Sequence, residues 1–181
     1  LRMPIRLPWQ KRADHPALVH ITHIKAGSTW IDGLLRRLFG KQVMPRFGSG
    51  LFKTQFTEAA GESQRHPPYG EMFRAMDYRP GAVYPALFIT YDEFTSHAEF
   101  RDAQRFVVIR DLRDTLTSHY FSLKGTHALD NLGRVKTARE HLQNVGKDEG
   151  LLFLFERDLD RLVQIQRSWL AAGALVLRYE D

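Results

Sequence analysis

Apolar blocks separated by mixed or polar segments run along the chain, and the apolar blocks predict strands. Each block is a run of four to eight mostly apolar residues. Runs of this length are typical of strands buried on both faces of a sheet. The four predicted strands are Ala17–Ile24, Ala86–Thr90, Arg105–Ile109 and Ala174–Leu177.

Longer segments with apolar residues at helical spacing lie between these strands. In Ser28–Phe39 such residues recur every three or four positions, namely Trp30, Ile31, Leu34, Leu35 and Leu38. Arg113–Leu123 and Glu149–Ala171 predict two further helices. Because strands and helices alternate, the sequence predicts an α/β fold with a mainly parallel sheet flanked by helices. At 181 residues, we expect a single domain over residues 1–181.

Three segments between these elements are richer in glycine, proline and polar residues. Pro45–Gly61 and Gln64–Gly81 predict mobile binding loops or short irregular helices, and residues 124–148 predict a second flexible region. We expect the first two to determine binding specificity. The chain ends at Asp181, directly after the last predicted strand, so we also expect it to be truncated at its C-terminus.

Composition narrows the possible functions. The chain has no cysteine, which excludes disulfides, thiolate metal sites and cysteine nucleophiles. No apolar run approaches the roughly 18 residues of a membrane-spanning helix, so we predict a soluble, cytoplasmic protein with no membrane span. The net charge of +5 fits an anionic ligand, but basic and acidic residues alternate and predict no nucleic-acid partner. The histidines lack metal-ligand spacing, so we predict no metal.

The turn between the first strand and the first helix has the sequence THIKAGSTW, residues 22–30. Unpaired N–H groups and the helix dipole make such a turn an anion site. Small residues allow close approach, hydroxyls donate hydrogen bonds and a lysine adds charge; these residues are Lys25, Ala26, Gly27, Ser28 and Thr29. The lysine precedes the glycine, unlike the nucleoside triphosphatase motif G-x-x-x-x-G-K-[ST]. Alternatively, a hydroxyl only caps the helix and Lys25 is a solvated loop residue.

A second strand, turn and helix follow at residues 105–121, RFVVIRDLRDTLTSHYF. Arg110 stands at the carboxyl end of its strand, where open α/β sheets bind ligands. Ser118 follows on the helix, and a guanidinium with a hydroxyl suits a phosphate. An alternative interpretation assigns Asp111, Arg113 and Asp114 to local ion pairs and helix caps.

These segments resemble the cytosolic-type sulfotransferase family, whose donor is 3′-phosphoadenosine 5′-phosphosulfate (PAPS). THIKAGSTW is similar to the family's T-Y-P-K-S-G-T-T-W, and R-D-L-R-D-T-L-T-S-H-Y is similar to its R-N-P-K-D-x-x-x-S-x-Y. Trp169-Leu170 followed by Val176–Asp181 looks like its W-L…V-L-x-L-R-Y-E-D segment. The resemblance covers the chain from about residue 17 to its last residue.

The resemblance implies a P-loop-like fold, PAPS as donor and 3′-phosphoadenosine 5′-phosphate (PAP) as product. It implies that residues 25–29 hold the 5′-phosphosulfate, with Lys25 neutralising the leaving phosphate, and that Arg110 and Ser118 hold the 3′-phosphate. Trp30 matches the position whose indole stacks on adenine, which we favour over the alternative that it is core on a buried helix face. The acceptor is then a hydroxyl or amine of a small molecule or carbohydrate.

The general base departs from the family pattern. The family places a histidine in a K-T-H-x-P-like segment, and here Tyr91 takes its place in FITYDE. A tyrosine pKa of about 10 makes a poor base at neutral pH. The alternatives are Asp92, Glu93, His23 and His97, each with an ordinary structural interpretation as well. Of these possible bases we retain Tyr91, Asp92 and His23, which together with Lys25 are the catalytic candidates.

Two other functions share the fold. The first is a nucleotide-binding module that has lost catalysis, which Tyr91 favours and Lys25 disfavours. The second is a P-loop small-molecule kinase with Asp111 as the Walker-B carboxylate. Aromatic residues between Met44 and Tyr84 fit an apolar acceptor, whereas an acidic sugar would suit Arg46, Lys53, Arg65 and Arg74. The sequence does not indicate an oligomeric state.

Overall fold

The computed structural model describes residues 15–46, 69–128 and 134–181. Within these ranges four parallel strands form one sheet in the order β2-β1-β3-β4; they are β1 (Leu18–Thr22), β2 (Val83–Leu87), β3 (Gln104–Ile109) and β4 (Val176–Arg178). The α-helices described are α1 (Ser28–Phe39), α2 (Tyr69–Arg74), α3 (Tyr91–Thr95), α4 (Leu112–Phe121), α5 (Arg134–Asn144) and α6 (Lys147–Ala171). The predicted α/β fold with a parallel sheet flanked by helices is confirmed.

Helices cover both faces of the sheet because successive strand residues point to opposite sides. On one side Val107 belongs to a cluster that includes Trp169 of α6. On the other side Val108 belongs to a cluster that includes Ile31 and Leu35 of α1. A third cluster joins α4, α5 and α6. Burial of apolar surface in these clusters is the main force that holds the layers together.

Strand β2 begins three residues earlier than predicted, covering Val83–Leu87 rather than Ala86–Thr90. Pro85 lies within it and is tolerated because β2 is at the edge of the described sheet. The register with β1 shifts at this point, and Ala86 has a left-handed φ of 58°. The N–H group of Ala86 donates to Nδ1 of the buried His20 at 3.2 Å. Because of the proline and this irregular pairing, the sequence pattern does not predict where the strand begins.

The residues after β2 turn into the short helix α3. Thr90 caps it: its side chain accepts from the N–H of Glu93, whose carboxylate accepts from the N–H of Thr90. This reciprocal capping box fixes the start of the helix. Tyr91 is therefore the first residue of α3, and its ring packs edge-on against Trp169 with 5.3 Å between centroids.

Residues 124–148 contain more helix than predicted. A π-helical turn, Ser122–Thr126, extends α4, and α5 occupies Arg134–Asn144. Ala138 and Leu142, one helical turn apart, are buried in the cluster shared with α4 and α6. With mainly polar residues around these two positions, the helical pattern is weak.

Helix α6 is 25 residues long; Ile165 and Trp169 near its end pack against one face of the sheet, and its earlier part packs against α4 and α5. Its buried residues recur at helical spacing and include Leu154, Leu162, Ile165 and Trp169. The Trp169 indole is fully buried and donates from Nε1 to the carbonyl of Ile89 at 2.8 Å. Among the helices described, neither α6 nor any other is both long and apolar enough to cross a membrane.

Candidate functional site

The strand order places a crevice at the carboxyl ends of β1 and β3. Strand β1 leads to β2 on one side and has β3 on its other side, and ligands of open α/β sheets bind at such points. A cleft of about 1250 Å³ opens here. The turns after β1 and β3, together with parts of α4, α5 and α6, form its walls.

Both predicted turns line this cleft. Of the residues predicted to hold the nucleotide, it is lined by Lys25, Gly27, Ser28, Thr29, Trp30, Arg110 and Ser118. Ala26 is fully buried and does not contribute to the wall. Trp30 is 68% exposed, so the interpretation of this indole as core is wrong. The two turns predicted from separate parts of the sequence thus form one site.

The turn between β1 and α1 has an unusual backbone. Lys25 and Gly27 both have left-handed φ angles, of 61° and 77°. Strain of this kind at a non-glycine residue is typical of functional sites. The first hydrogen bond of α1 runs from Ile31 N–H to the Gly27 carbonyl, so the preceding N–H groups have no partner within the helix and can bind an anion.

The two hydroxyls of this turn do not cap α1, which has no side-chain cap. Ser28 Oγ accepts a hydrogen bond from Arg46 Nη2 at 3.0 Å, and Thr29 Oγ1 accepts one from Arg46 Nη1 at 3.1 Å. The sequence places Arg46 among residues suited to an acidic acceptor. The structure places it at the turn between β1 and α1.

Lys25 is only partly exposed in the wall of the cleft. Burial and the nearby guanidinium of Arg110 lower the pKa of Lys25. Among the residues described, no carboxylate lies within ion-pair distance of its ammonium group. The first turn therefore carries a positive charge with no acidic partner in this part of the structure.

Arg110 bridges the two turns. Its Nη1 donates to the carbonyl of Lys25 at 3.0 Å, and its guanidinium lies over the Tyr179 ring. The carboxylate of Glu180 lies 3.8 Å from Arg110 Nε and accepts a hydrogen bond from the N–H of Asp111 at 3.0 Å. The residues after β4 thus hold the guanidinium in place, and Glu180 offsets part of its charge.

The two turns lie together at the switch point of the sheet and line one cleft, which makes them a candidate anion site. Comparisons of the chain with protein-family models, curated proteins and solved structures return no match.

His23 lines the cleft, but its ring nitrogens are occupied. Nδ1 donates to the Ile24 carbonyl at 2.9 Å. Nε2 lies 3.2 Å from the N–H of Arg110 and 2.9 Å from the side-chain amide of Gln166, and can accept from either. Burial lowers the pKa of His23. This histidine joins the ends of β1 and β3 and has no nitrogen left for a substrate.

The other predicted bases do not line the cleft: Tyr91, Asp92, Glu93 and His97. Although burial raises the pKa of Glu93, hydrogen bonds from Arg161 and Thr90 bring it below its usual value. His97 Nε2 bonds to the Met76 carbonyl at 3.0 Å.

A histidine that the sequence does not single out lies in the cleft wall. His119 of α4 is 7% exposed; its Nε2 is 3.5 Å from Asp158 Oδ2 and 3.2 Å from Arg157 Nη2. Burial lowers the pKa of His119 to about 4, so it is neutral at pH 7. The one feature of the sequence that indicates a place for His119 in the cleft is its position next to Ser118. The residues described include no cluster of three side chains able to hold a metal ion.

The wall beyond Lys25 combines apolar side chains with paired charges. Arg157 pairs with Asp158 and Arg161 with Glu93, each at 2.8 Å. The apolar lining includes Phe88, Leu123, Phe153, Leu162 and Ile165. The cleft is therefore cationic at the two turns and close to neutral in this second half.

Proposed function

We propose that the protein is a sulfotransferase with a P-loop-like fold, which transfers a sulfuryl group from PAPS to a hydroxyl or amine of a small acceptor. One observation carries the proposal: the cationic turns after β1 and β3 face one cleft and are joined by the hydrogen bond from Arg110 Nη1 to the Lys25 carbonyl, 3.0 Å long. PAPS bears anionic groups at the 5′ and 3′ positions of its ribose, so two cationic sites in one cleft suit it.

The residues of the cleft fit each part of this donor. The unpaired N–H groups at the start of α1 and the ammonium of Lys25 suit the 5′-phosphosulfate. Arg110 and Ser118 also line the cleft and suit the 3′-phosphate. The exposed Trp30 offers an aromatic face to the adenine.

The chemistry requires positioning and charge stabilisation more than covalent work by the protein. PAPS supplies an activated sulfuryl group on a phosphate leaving group. Lys25 places a positive charge in the cleft beside the helix N-terminus, where it would stabilise negative charge on the departing phosphate. We assign no proton-transfer role to Tyr91 or Asp92, because they lie outside the cleft wall, or to His23, because its nitrogens are bonded.

This lack of an available predicted base favours a second candidate, a nucleotide-binding module of the same fold without transferase activity. A P-loop kinase has less support. The Asp111 carboxylate accepts from the N–H groups of Arg113 and Asp114 as the N-cap of α4, and it also pairs with the Arg113 guanidinium at 3.0 Å. It is thus committed to the helix start rather than to a magnesium ion.

A transfer assay tests the proposal and separates the two candidates. The protein is incubated with radiosulfur-labelled PAPS and a mixture of neutral phenols and acidic sugars. We expect labelled acceptor from the wild type and from the control Lys41→Ala, which removes an exposed lysine outside the cleft. Lys25→Ala should lower the rate at least about 100-fold.

The outcomes differ for each function. PAP binding without transfer to any acceptor would favour the non-catalytic module. Absence of both binding and transfer would contradict the proposal, as would equal transfer rates for Lys25→Ala and Lys41→Ala.

A further inference from the structure

A second cation, Arg46, reaches the anion-binding turn from outside it. Its Nη1 and Nη2 groups donate to Thr29 Oγ1 at 3.1 Å and Ser28 Oγ at 3.0 Å. Because both hydroxyl oxygens accept these bonds, each hydroxyl keeps its own proton to donate to a ligand. Within the described residues, the other N–H groups of the guanidinium have no hydrogen-bond partner.

The fold brings Arg46 to this position through the residues just before it. The N–H of Met44 donates to the carbonyl of Val83 at 2.8 Å. The carbonyl of Met44 accepts from Arg36 Nη2 at 3.2 Å. Val43 forms a parallel bridge with Val83. These bonds tie the segment to β2 and α1, so the guanidinium two residues later is held at the turn.

The positive charge at this turn lacks an acidic partner within the described residues. No carboxylate there lies within ion-pair distance of Arg46 or Lys25. Lys25 and Arg46 add positive charge at the N-terminus of α1, where the helix dipole is already positive. Because neither cation has an acidic partner in this part of the structure, both are available to attract a bound anion.

We propose that Arg46 is a ligand of the outer anionic group of a two-group anion, a phosphate linked to a sulfate or to a second phosphate. The helix N–H groups and Lys25 hold the inner group, while Arg46 and the two hydroxyls hold the outer one. The identity of the nucleotide rests on the proposed function, but the recognition of a linked pair of tetrahedral anions does not.

Calorimetric titration with PAPS, PAP and inorganic pyrophosphate tests this role. Arg46→Ala should weaken the binding of PAPS and of pyrophosphate roughly 10- to 100-fold, as expected for loss of charged hydrogen bonds. It should weaken the binding of PAP less than about threefold. Arg46→Lys should fall between, because it keeps the charge without the fork. Arg37→Ala, which removes an exposed arginine of α1, should match the wild type. Circular dichroism checks that each variant is folded.

Each outcome of the titrations bears on a separate claim. Unchanged binding of PAPS and pyrophosphate by Arg46→Ala overturns the proposal, and an equal loss for PAP and PAPS overturns the assignment to the outer group. Pyrophosphate binding that depends on Arg46, without any nucleotide binding, supports this site but contradicts the sulfotransferase function. A wild type that binds none of the three ligands contradicts both.

Discussion

The guanidinium of Arg110 lies over the ring of Tyr179, with 4.7 Å between the Cζ atom and the ring centroid. The same ring fills the space that a side chain at Gly27 would need. The N–H of Tyr179 donates to the Ile109 carbonyl at 2.8 Å. The residue after β4 therefore packs against both turns of the cleft, and the end of the sheet contributes directly to the site.

Gly27→Ala should destabilise the protein by about 1–3 kcal/mol, because it places an alanine at a left-handed φ. Its Cβ would also lie 2.7 Å from a ring carbon of Tyr179. The matched control is Gly33→Ala in α1, whose Cβ would meet nothing within 4 Å. It should stabilise the helix by about 0.5–1 kcal/mol. Urea denaturation measures both, and equal effects from the two variants would disprove the close approach at Gly27.

Tyr179→Leu should weaken PAP binding about threefold to tenfold, because Arg110 loses the aromatic face that orients it. Tyr179→Phe retains the ring and should bind PAP like the wild type. Adenosine 5′-monophosphate, which lacks the 3′-phosphate, should be insensitive to either change. The prediction fails if the leucine variant binds PAP as well as the phenylalanine variant does.

Glu180→Gln should strengthen PAP binding about twofold to fivefold at low salt, because the carboxylate 3.8 Å from Arg110 Nε repels a phosphate on the same guanidinium. Glutamine retains an oxygen to accept from the N–H of Asp111. The gain should shrink as salt is added. Weaker binding by Glu180→Gln would show instead that the carboxylate mainly positions Arg110.

Acid should destabilise the protein through its buried histidines. Burial, with a smaller contribution from Arg46, lowers the pKa of His20 to about 3, whereas an exposed histidine has a pKa of about 6.5. Below pH 6.5 His20 binds a proton in the unfolded chain but stays neutral in the folded chain. Stability that is present above pH 6.5 is therefore lost as the pH falls toward 3. For His20 alone the loss at pH 5 is about 2 kcal/mol.

Urea denaturation at pH 7.5, 6 and 5 measures this loss. His20→Gln removes the titrating group and should reduce the dependence on pH, although His119 is also buried, with a pKa lowered to about 4. The same pH dependence in His20→Gln and the wild type would show that His20 does not drive the acid sensitivity.

The sequence predicts the two turns well because their signals are local. An apolar strand, a turn rich in small and charged residues, and an amphipathic helix follow one another within about 20 residues in each case. The parallel sheet then brings the ends of β1 and β3 together without further information. This is why Lys25 and Arg110, far apart in the chain, are correctly predicted to share a crevice.

Other features depend on contacts that a single sequence does not display. Pro85 obscures β2, and the polar surroundings of Ala138 and Leu142 obscure α5. The role of Arg46 depends on the path taken by the residues before it, which are paired with Val83. His23 looks available as a base until its bonds to Ile24 and Arg110 are seen. The sequence predictions for Pro45–Gly61 and Gln64–Gly81 lie partly outside the described residues.

The most direct test of the account is a calorimetric comparison of PAP with adenosine 5′-monophosphate and ATP, using the wild type and Arg110→Ala. We predict a dissociation constant on the order of micromolar for PAP and binding at least about tenfold weaker for the other two nucleotides. Arg110→Ala should abolish that preference. Equal binding of all three nucleotides, or no binding of PAP, would contradict the claim that this cleft recognises a 3′-phosphorylated donor.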